Sequence, residues 1–111
     1  MKITKRKKGD VLILDLQGKI LIGEGIDELR GTVNNAIKEK ETKLILNFAG
    51  VPYLDSTGLG EVVRSYTSVK KEGGVVKIIN LATKVRDLLS VTKLITVFET
   101  FEEEEKAIAS F

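Results

Sequence analysis

Asp55-Ser56-Thr57-Gly58-Leu59-Gly60 is the segment whose residue types and spacing could do chemistry. It follows the apolar run Leu44-Ile45-Leu46-Asn47-Phe48 and a short turn through Pro52, and it opens a helical pattern that reaches Lys71. A serine at a strand-to-helix junction is exposed, rigidly placed and set on the positive end of a helix. Such a hydroxyl becomes a nucleophile only when a base takes its proton. The 111 residues include no histidine and no cysteine, so a Ser-His relay and a thiolate nucleophile are both missing. A Ser-Lys pair would need a lysine folded over Ser56 and stripped of its proton by burial, a demanding arrangement. The pattern points to a serine that is acted upon, in a chain with no catalytic residue and no enzymatic activity of its own.

The same residues have a purely structural reading. Asp, Ser and Thr are preferred N-caps because their side-chain oxygens accept from free backbone N–H groups. Gly58 and Gly60 would then allow tight packing near the strand. Two features favour function. Three capping residues in a row exceed what one helix start requires. Two glycines in the first turns each cost about 1 kcal/mol relative to alanine, and they would leave the surface around Ser56 bare for another protein's backbone. Nucleotide chemistry does not fit: there is no Gly-x-x-x-x-Gly-Lys-Ser/Thr arrangement, and Gly58-Leu59-Gly60 lacks the third glycine of the dinucleotide fingerprint. Gly23-Glu24-Gly25 is again only a fragment of it, and its plain reading is a flexible entry to a helix. No cofactor is expected.

Composition bounds the rest. The length is that of one domain, 1–111. No run of about 18 apolar residues marks a membrane span, and the basic N-terminus lacks the apolar stretch of a signal peptide. A cytoplasmic protein is the expectation. Without cysteine or histidine there is no disulfide framework and no zinc site of Cys/His type. A net charge of +2 with two tyrosines and four phenylalanines does not resemble a nucleic-acid binder. The basic run Lys5 to Lys8 reads as a solvated edge strand and turn, where lysine discourages aggregation. The acidic run Glu102 to Glu105 reads as the first turns of a helix, where carboxylates complement the dipole.

Periodicity supplies the elements that position the serine. Ile3 to Arg6 and Val11 to Leu16 read as strands, with Leu12, Leu14 and Leu16 on one face and Val11, Ile13 and Asp15 on the other. Lys19-Ile20-Leu21-Ile22 is a short apolar stretch leading into a loop. Ile26, Leu29, Val33 and Ile37 mark a helix to Lys40. Lys43 to Phe48 reads as a buried strand. Asp55 to Lys71 reads as a helix with Leu59, Val62, Val63, Tyr66 and Val69 inward, and Gly73-Gly74 ends it. Val75 to Ile79 is a β-branched strand, Thr83 to Ser90 a short helix, Ile95 to Phe98 a short strand, and Glu99 to Ala109 a last helix. This order implies an α/β domain with a mixed sheet of four to five strands and about four helices, with right-handed crossovers.

The element order and the segment Tyr53-Leu54-Asp55-Ser56-Thr57-Gly58-Leu59-Gly60 resemble the STAS domain of bacterial anti-sigma factor antagonists. The resemblance covers nearly the whole chain, including Gly73-Gly74 before a valine-rich strand. It implies partner switching. The unphosphorylated antagonist would bind an anti-sigma factor that is also a serine kinase, freeing sigma factor. Phosphorylation of the motif serine, here Ser56, would break that complex, and a PP2C-type phosphatase would restore it. The resemblance thus implies Ser56 as the phosphorylation site and Asp55, Ser56, Thr57, Gly58, Leu59 and Gly60, with Gly23 and Glu24, as the partner-binding residues. The chain departs from the family at Gly18-Lys19-Ile20-Leu21, where Lys19 and Leu21 stand in place of common carboxylates near the serine. A second reading stays open: a non-phosphorylated STAS scaffold or accessory subunit of a stress-signalling assembly or lipid-transport complex, with Ser56 only a cap.

Overall fold

A computed structural model describes all residues from Met1 to Phe111. Strand β1 (Lys2–Lys8) turns back into β2 (Val11–Gln17) through Gly9-Asp10. Gly9 takes φ +64°, as the first position of a two-residue hairpin loop requires. The chain continues through α1 (Ile26–Lys38), β3 (Lys43–Gly50), α2 (Ser56–Lys71), β4 (Val75–Ile79), α3 (Thr83–Val91), a 3-10 turn (Leu94–Thr96), β5 (Glu99–Phe101) and α4 (Glu104–Ala109). The strands form one five-stranded sheet in the order β1-β2-β3-β4-β5. β1 and β2 are antiparallel, and every later pair is parallel. The α/β class, the mixed sheet and the four helices agree with the alternation of apolar periods. No helix is long and apolar enough to cross a membrane.

A strand's period of two sends alternate residues to opposite faces. Leu12, Leu14 and Leu16 join Leu44, Leu46, Phe48, Val76 and Ile78 under α1, α2 and α3. Val11 and Ile13 point the other way and join Ile45 and Ile79 under Ala107 of α4. Strand β3 is therefore covered on both sides, which is why it reads as an unbroken apolar run. Each fully buried leucine or isoleucine contributes about 1.5–3 kcal/mol.

Four expectations need correction at the C-terminal end and at β1. Ile95 to Phe98 is not a strand. Lys93 takes φ +67° after α3, the chain tightens into the 3-10 turn, and Phe98 is buried edge-on against Tyr66 at 5.3 Å. The last helix begins at Glu104, because Glu99–Phe101 pairs with β4 instead. Its carboxylates do more than complement a dipole, and the basic run of β1 is only partly solvated. Arg6 donates to Glu104 Oε1 at 2.6 Å and Lys8 lies 2.9 Å from Glu104 Oε2. Lys7 pairs with Glu41 at 3.4 Å.

Arg6 also grips Asp15 through two N–H groups at 2.6 and 2.9 Å, and Asn47 Nδ2 donates to the same carboxylate at 2.8 Å. The Arg6 guanidinium holds the Asp15 carboxyl below its ordinary range, and Arg6 followed by Lys8 does the same to Glu104. Lys77 is buried on this face and donates to Glu99 Oε2 at 2.8 Å, to Ser110 Oγ at 2.7 Å and to the Ser110 carbonyl at 3.1 Å. Ionic contacts at Glu104 and hydrogen bonds from Lys77 to Ser110 thus fasten the two ends of α4 to the sheet.

Candidate functional site

The parallel strands place their C-terminal ends, and the N-termini of the following helices, at one end of the domain. Strand β3 leads there into Val51 to Leu54, then into α2. Asp55 is the N-cap and Ser56 the first helical residue. Asp55 Oδ1 accepts from the Gly58 N–H at 2.8 Å, and its carbonyl accepts from the Leu59 N–H at 2.8 Å. Its other oxygen, Oδ2, accepts from the Ile22 N–H at 3.0 Å. These backbone donors, Ile22 first, hold the Asp55 carboxyl below the usual carboxylate range.

Capping therefore falls to Asp55 alone. The Ser56 and Thr57 side chains are exposed and enter no hydrogen bond, while the first-turn N–H groups of α2 surround them with positive potential. A phosphoryl group on Ser56 would meet that favourable potential, with the Asp55 carboxylate as its near-neighbour opponent.

The glycines behave differently from one another. Gly58 is buried, and a Cβ there would collide with the Ile20 carbonyl. The sequence reading of a bare surface at this position is corrected: the backbone that approaches Gly58 belongs to the chain's own β2–α1 loop. Leu59 is buried beside it in the core. Gly60 is exposed, and a Cβ there would meet nothing within 4 Å. Of the six residues, Ser56, Thr57 and Gly60 face outward.

Gly23 and Glu24 also lie at this end, exposed on a closed turn rather than a flexible entry. The Leu21 N–H donates to the Glu24 carbonyl and the Glu24 N–H to the Leu21 carbonyl, each at 2.8 Å. Gly23 and Gly25 take φ +78° and +86°, which side-chain-bearing residues rarely adopt. Ile20 lies beside Leu54, and its carbonyl accepts from the Asp55 N–H at 3.3 Å. The segment containing Lys19 and Leu21 thus runs against the approach to Ser56.

Sequence reasoning missed two features. Within Lys19-Ile20-Leu21-Ile22 only Ile20 is buried, and Ile22 and Tyr53 are exposed beside the motif. Glu61 is buried in α2, where Oε1 accepts from Arg30 at 3.0 and 2.8 Å and Oε2 from Arg64 at 2.7 Å. That carboxylate locks α1 to α2. Helical spacing from Gly58 and Leu59 through Val62, Ser65 and Val69 puts position 61 on the buried stripe, so the signal was present.

Comparison with known proteins bears on the fold and the family. An anti-sigma-B factor antagonist of Bacillus subtilis (strain 168) is 32% identical over 72 residues, 65% of this chain and 66% of that protein. An anti-sigma F factor antagonist of Paenibacillus polymyxa is 25% identical over 109 residues, 97% of this chain and 92% of that protein. Among solved structures, a candidate anti-sigma factor antagonist of Thermotoga maritima aligns with TM-score 0.90 at 22% identity, covering 97% of this chain and 92% of that one. The Bacillus cell fate determinant SpoIIAA in its phosphorylated form aligns with TM-score 0.74 at 20% identity, covering 98% of each chain. These structural likenesses establish the fold. The model of the STAS domain matches residues 2–107, nearly the whole chain, so the protein belongs to the STAS domain family.

Proposed function

We propose that this chain is an anti-sigma factor antagonist that works by partner switching, as a binding module and kinase substrate in the cytoplasm. Unphosphorylated, it holds an anti-sigma factor that is also a serine kinase, and sigma factor goes free. Transfer of the γ-phosphoryl group of ATP to Ser56 Oγ breaks that complex, and a PP2C-type phosphatase reverses it by hydrolysis. The observation that carries this reading is the division of labour at the start of α2: Asp55 does the capping and leaves the exposed Ser56 hydroxyl uncommitted. The names of the relatives support the antagonist role.

The physics of the switch is local. A phosphoryl group adds about −1.5 to −2 charge. The helix N-terminus tolerates that charge within the domain. A partner surface packed over Ser56 must desolvate it, and a buried unpaired charge is strongly unfavourable. Release therefore follows without refolding.

Incubation with the anti-sigma factor kinase and ATP tests the proposal. Intact mass should show one added phosphoryl group, site mapping should place it on Ser56, and the modified chain should lose affinity for the kinase. An unmodified chain that still binds would favour the scaffold reading.

A further inference from the structure

The turn beside Ser56 carries a side chain for which the fold has no use. Ile22 is 76% exposed, and Tyr53 is 46% exposed. Single exposed apolar residues are ordinary on a protein surface, so exposure alone decides nothing. Val91 is 80% exposed, but it ends α3 at the opposite end of the domain from Ser56.

Rigidity and position distinguish Ile22. The Leu21–Glu24 bonds close its turn at 2.8 Å each, and Asp55 Oδ2 holds the Ile22 N–H at 3.0 Å. The same carboxylate fixes the Gly58 N–H at 2.8 Å, so the turn and the start of α2 form one body. The Tyr53 carbonyl accepts from the Ile20 N–H at 3.4 Å, which sets the two segments side by side. A β-branched side chain on a fixed turn has little freedom left to lose on binding. Beside it, Glu24, Asp27 and Glu28 line a shallow cleft. Only Glu28 has an ionic partner, the Met1 ammonium at 3.9 Å.

We infer that Ile22 is the anchor by which this chain docks its anti-sigma factor, with Tyr53 as a second apolar contact, and that the partner presents an apolar pocket rimmed by lysine or arginine. The inference rests on the partner-switching reading and adds the chemistry of the partner's surface. Interfaces concentrate binding energy in a few apolar or aromatic anchors, and opposite charge around them sets register and speeds encounter. A phosphoryl group on Ser56 would then act beside a dry contact, where charge is least tolerated.

The test measures Ile22→Ser, Ile22→Leu and Ser56→Asp against the anti-sigma factor kinase used in the phosphorylation assay, by titration calorimetry at low and high salt. Ile22→Ser should weaken binding by about tenfold or more, with thermal unfolding little changed because the side chain is largely exposed and belongs to neither core cluster. Ile22→Leu should stay within about threefold, and affinity should fall with salt. Binding by Ile22→Ser as tight as the parent's overturns the anchor, and the switch stands if Ser56→Asp is still weakened. Weak binding by Ile22→Ser with Ser56→Asp unaffected keeps the anchor and removes the switch. No binding by the parent overturns both.

Discussion

Asp55 and Ile22 are 33 positions apart, yet one oxygen of the Asp55 carboxylate receives the Ile22 N–H at 3.0 Å while the other receives the Gly58 N–H. A single side chain thus caps α2 and pins the turn in front of it. Asp55→Ala should lower the melting temperature and speed hydrogen exchange at the Ile22 and Gly58 amides together. Asp55→Asn keeps one good acceptor and should fall between. Exchange that rises at Gly58 alone would show that the turn holds itself closed.

Gly58 and Gly60 are predicted to part company. Gly58→Ala drives a methyl group into the Ile20 carbonyl, which is backbone and cannot rotate away. Overpacking of this kind costs about 1–3 kcal/mol or more. Gly60→Ala meets open space inside a helix and should stabilise by up to about 1 kcal/mol. Urea denaturation of the two variants measures both. Equal effects would contradict the close approach at Ile20.

A third prediction concerns Glu61. Glu61→Ala leaves Arg30 and Arg64 without their shared acceptor between α1 and α2. Both arginines reach solvent, with side chains 50% and 31% exposed, so the loss is smaller than for a fully buried pair, about 1–3 kcal/mol. Arg30→Ala should cost less than Glu61→Ala, because Glu61 keeps Arg64. Chemical denaturation of the single variants and of the double variant checks the coupling.

These positions also mark how far sequence carries the structure. Strand β4 agrees residue for residue with its β-branched run, and α1 and α2 differ from the expected spans by two residues or fewer, because their apolar stripes are long. The C-terminal third is harder. Ile95, Val97 and Phe98 have strand composition, but Lys93 in the left-handed region tightens the chain before pairing begins at Glu99. The place of Ser56 at a helix start was legible. That Asp55 also receives the Ile22 N–H is a tertiary contact that no local pattern encodes. The role of Gly58 was misread for the same reason, since Ile20 lies 38 positions away (58 − 20) and only the fold brings its carbonyl near.

Acid should loosen α4. Asp15 and Glu104 are held below their ordinary carboxylate range, chiefly by Arg6. A depressed folded pKa contributes stability that is complete above the unfolded values, about 3.9 for Asp and 4.3 for Glu, and is lost as pH falls through the lowered folded values. The parent chain should therefore lose stability below about pH 4. Arg6→Ala removes the main cause of both shifts, so its stability should change less across the same acid window. Denaturation midpoints between pH 2.5 and 7, compared for parent and variant, give the two slopes; parallel curves would mean that other carboxylates dominate. The same carboxylates stay ionised at neutral pH, so α4 should be fully docked there.

The last prediction concerns Ser56, whose hydroxyl is exposed and free of capping duty. Ser56→Ala removes no intramolecular hydrogen bond and should leave stability within about 0.5 kcal/mol of the parent. On the partner-switching proposal, it should abolish phosphorylation and keep the chain bound to the anti-sigma factor kinase. Ser56→Asp places a carboxylate at a helix N-terminus, where a charge is favourable by about 0.3–1 kcal/mol. Asp55 stands next to it and opposes that gain, so the net change in stability should be small. Its effect on binding should be partial, because aspartate carries less charge than phosphoserine and lacks its tetrahedral bulk. Thr57 is exposed on the same turn and offers a second hydroxyl, so Ser56→Ala and Thr57→Ala should be treated with kinase in parallel. A Thr57→Ala chain that still accepts one phosphoryl group, beside a Ser56→Ala chain that accepts none, assigns the switch to Ser56. The reverse pattern would move it one residue along the helix, and phosphoryl transfer to both would mean that exposure at the helix start, and not Ser56 itself, is what the kinase reads.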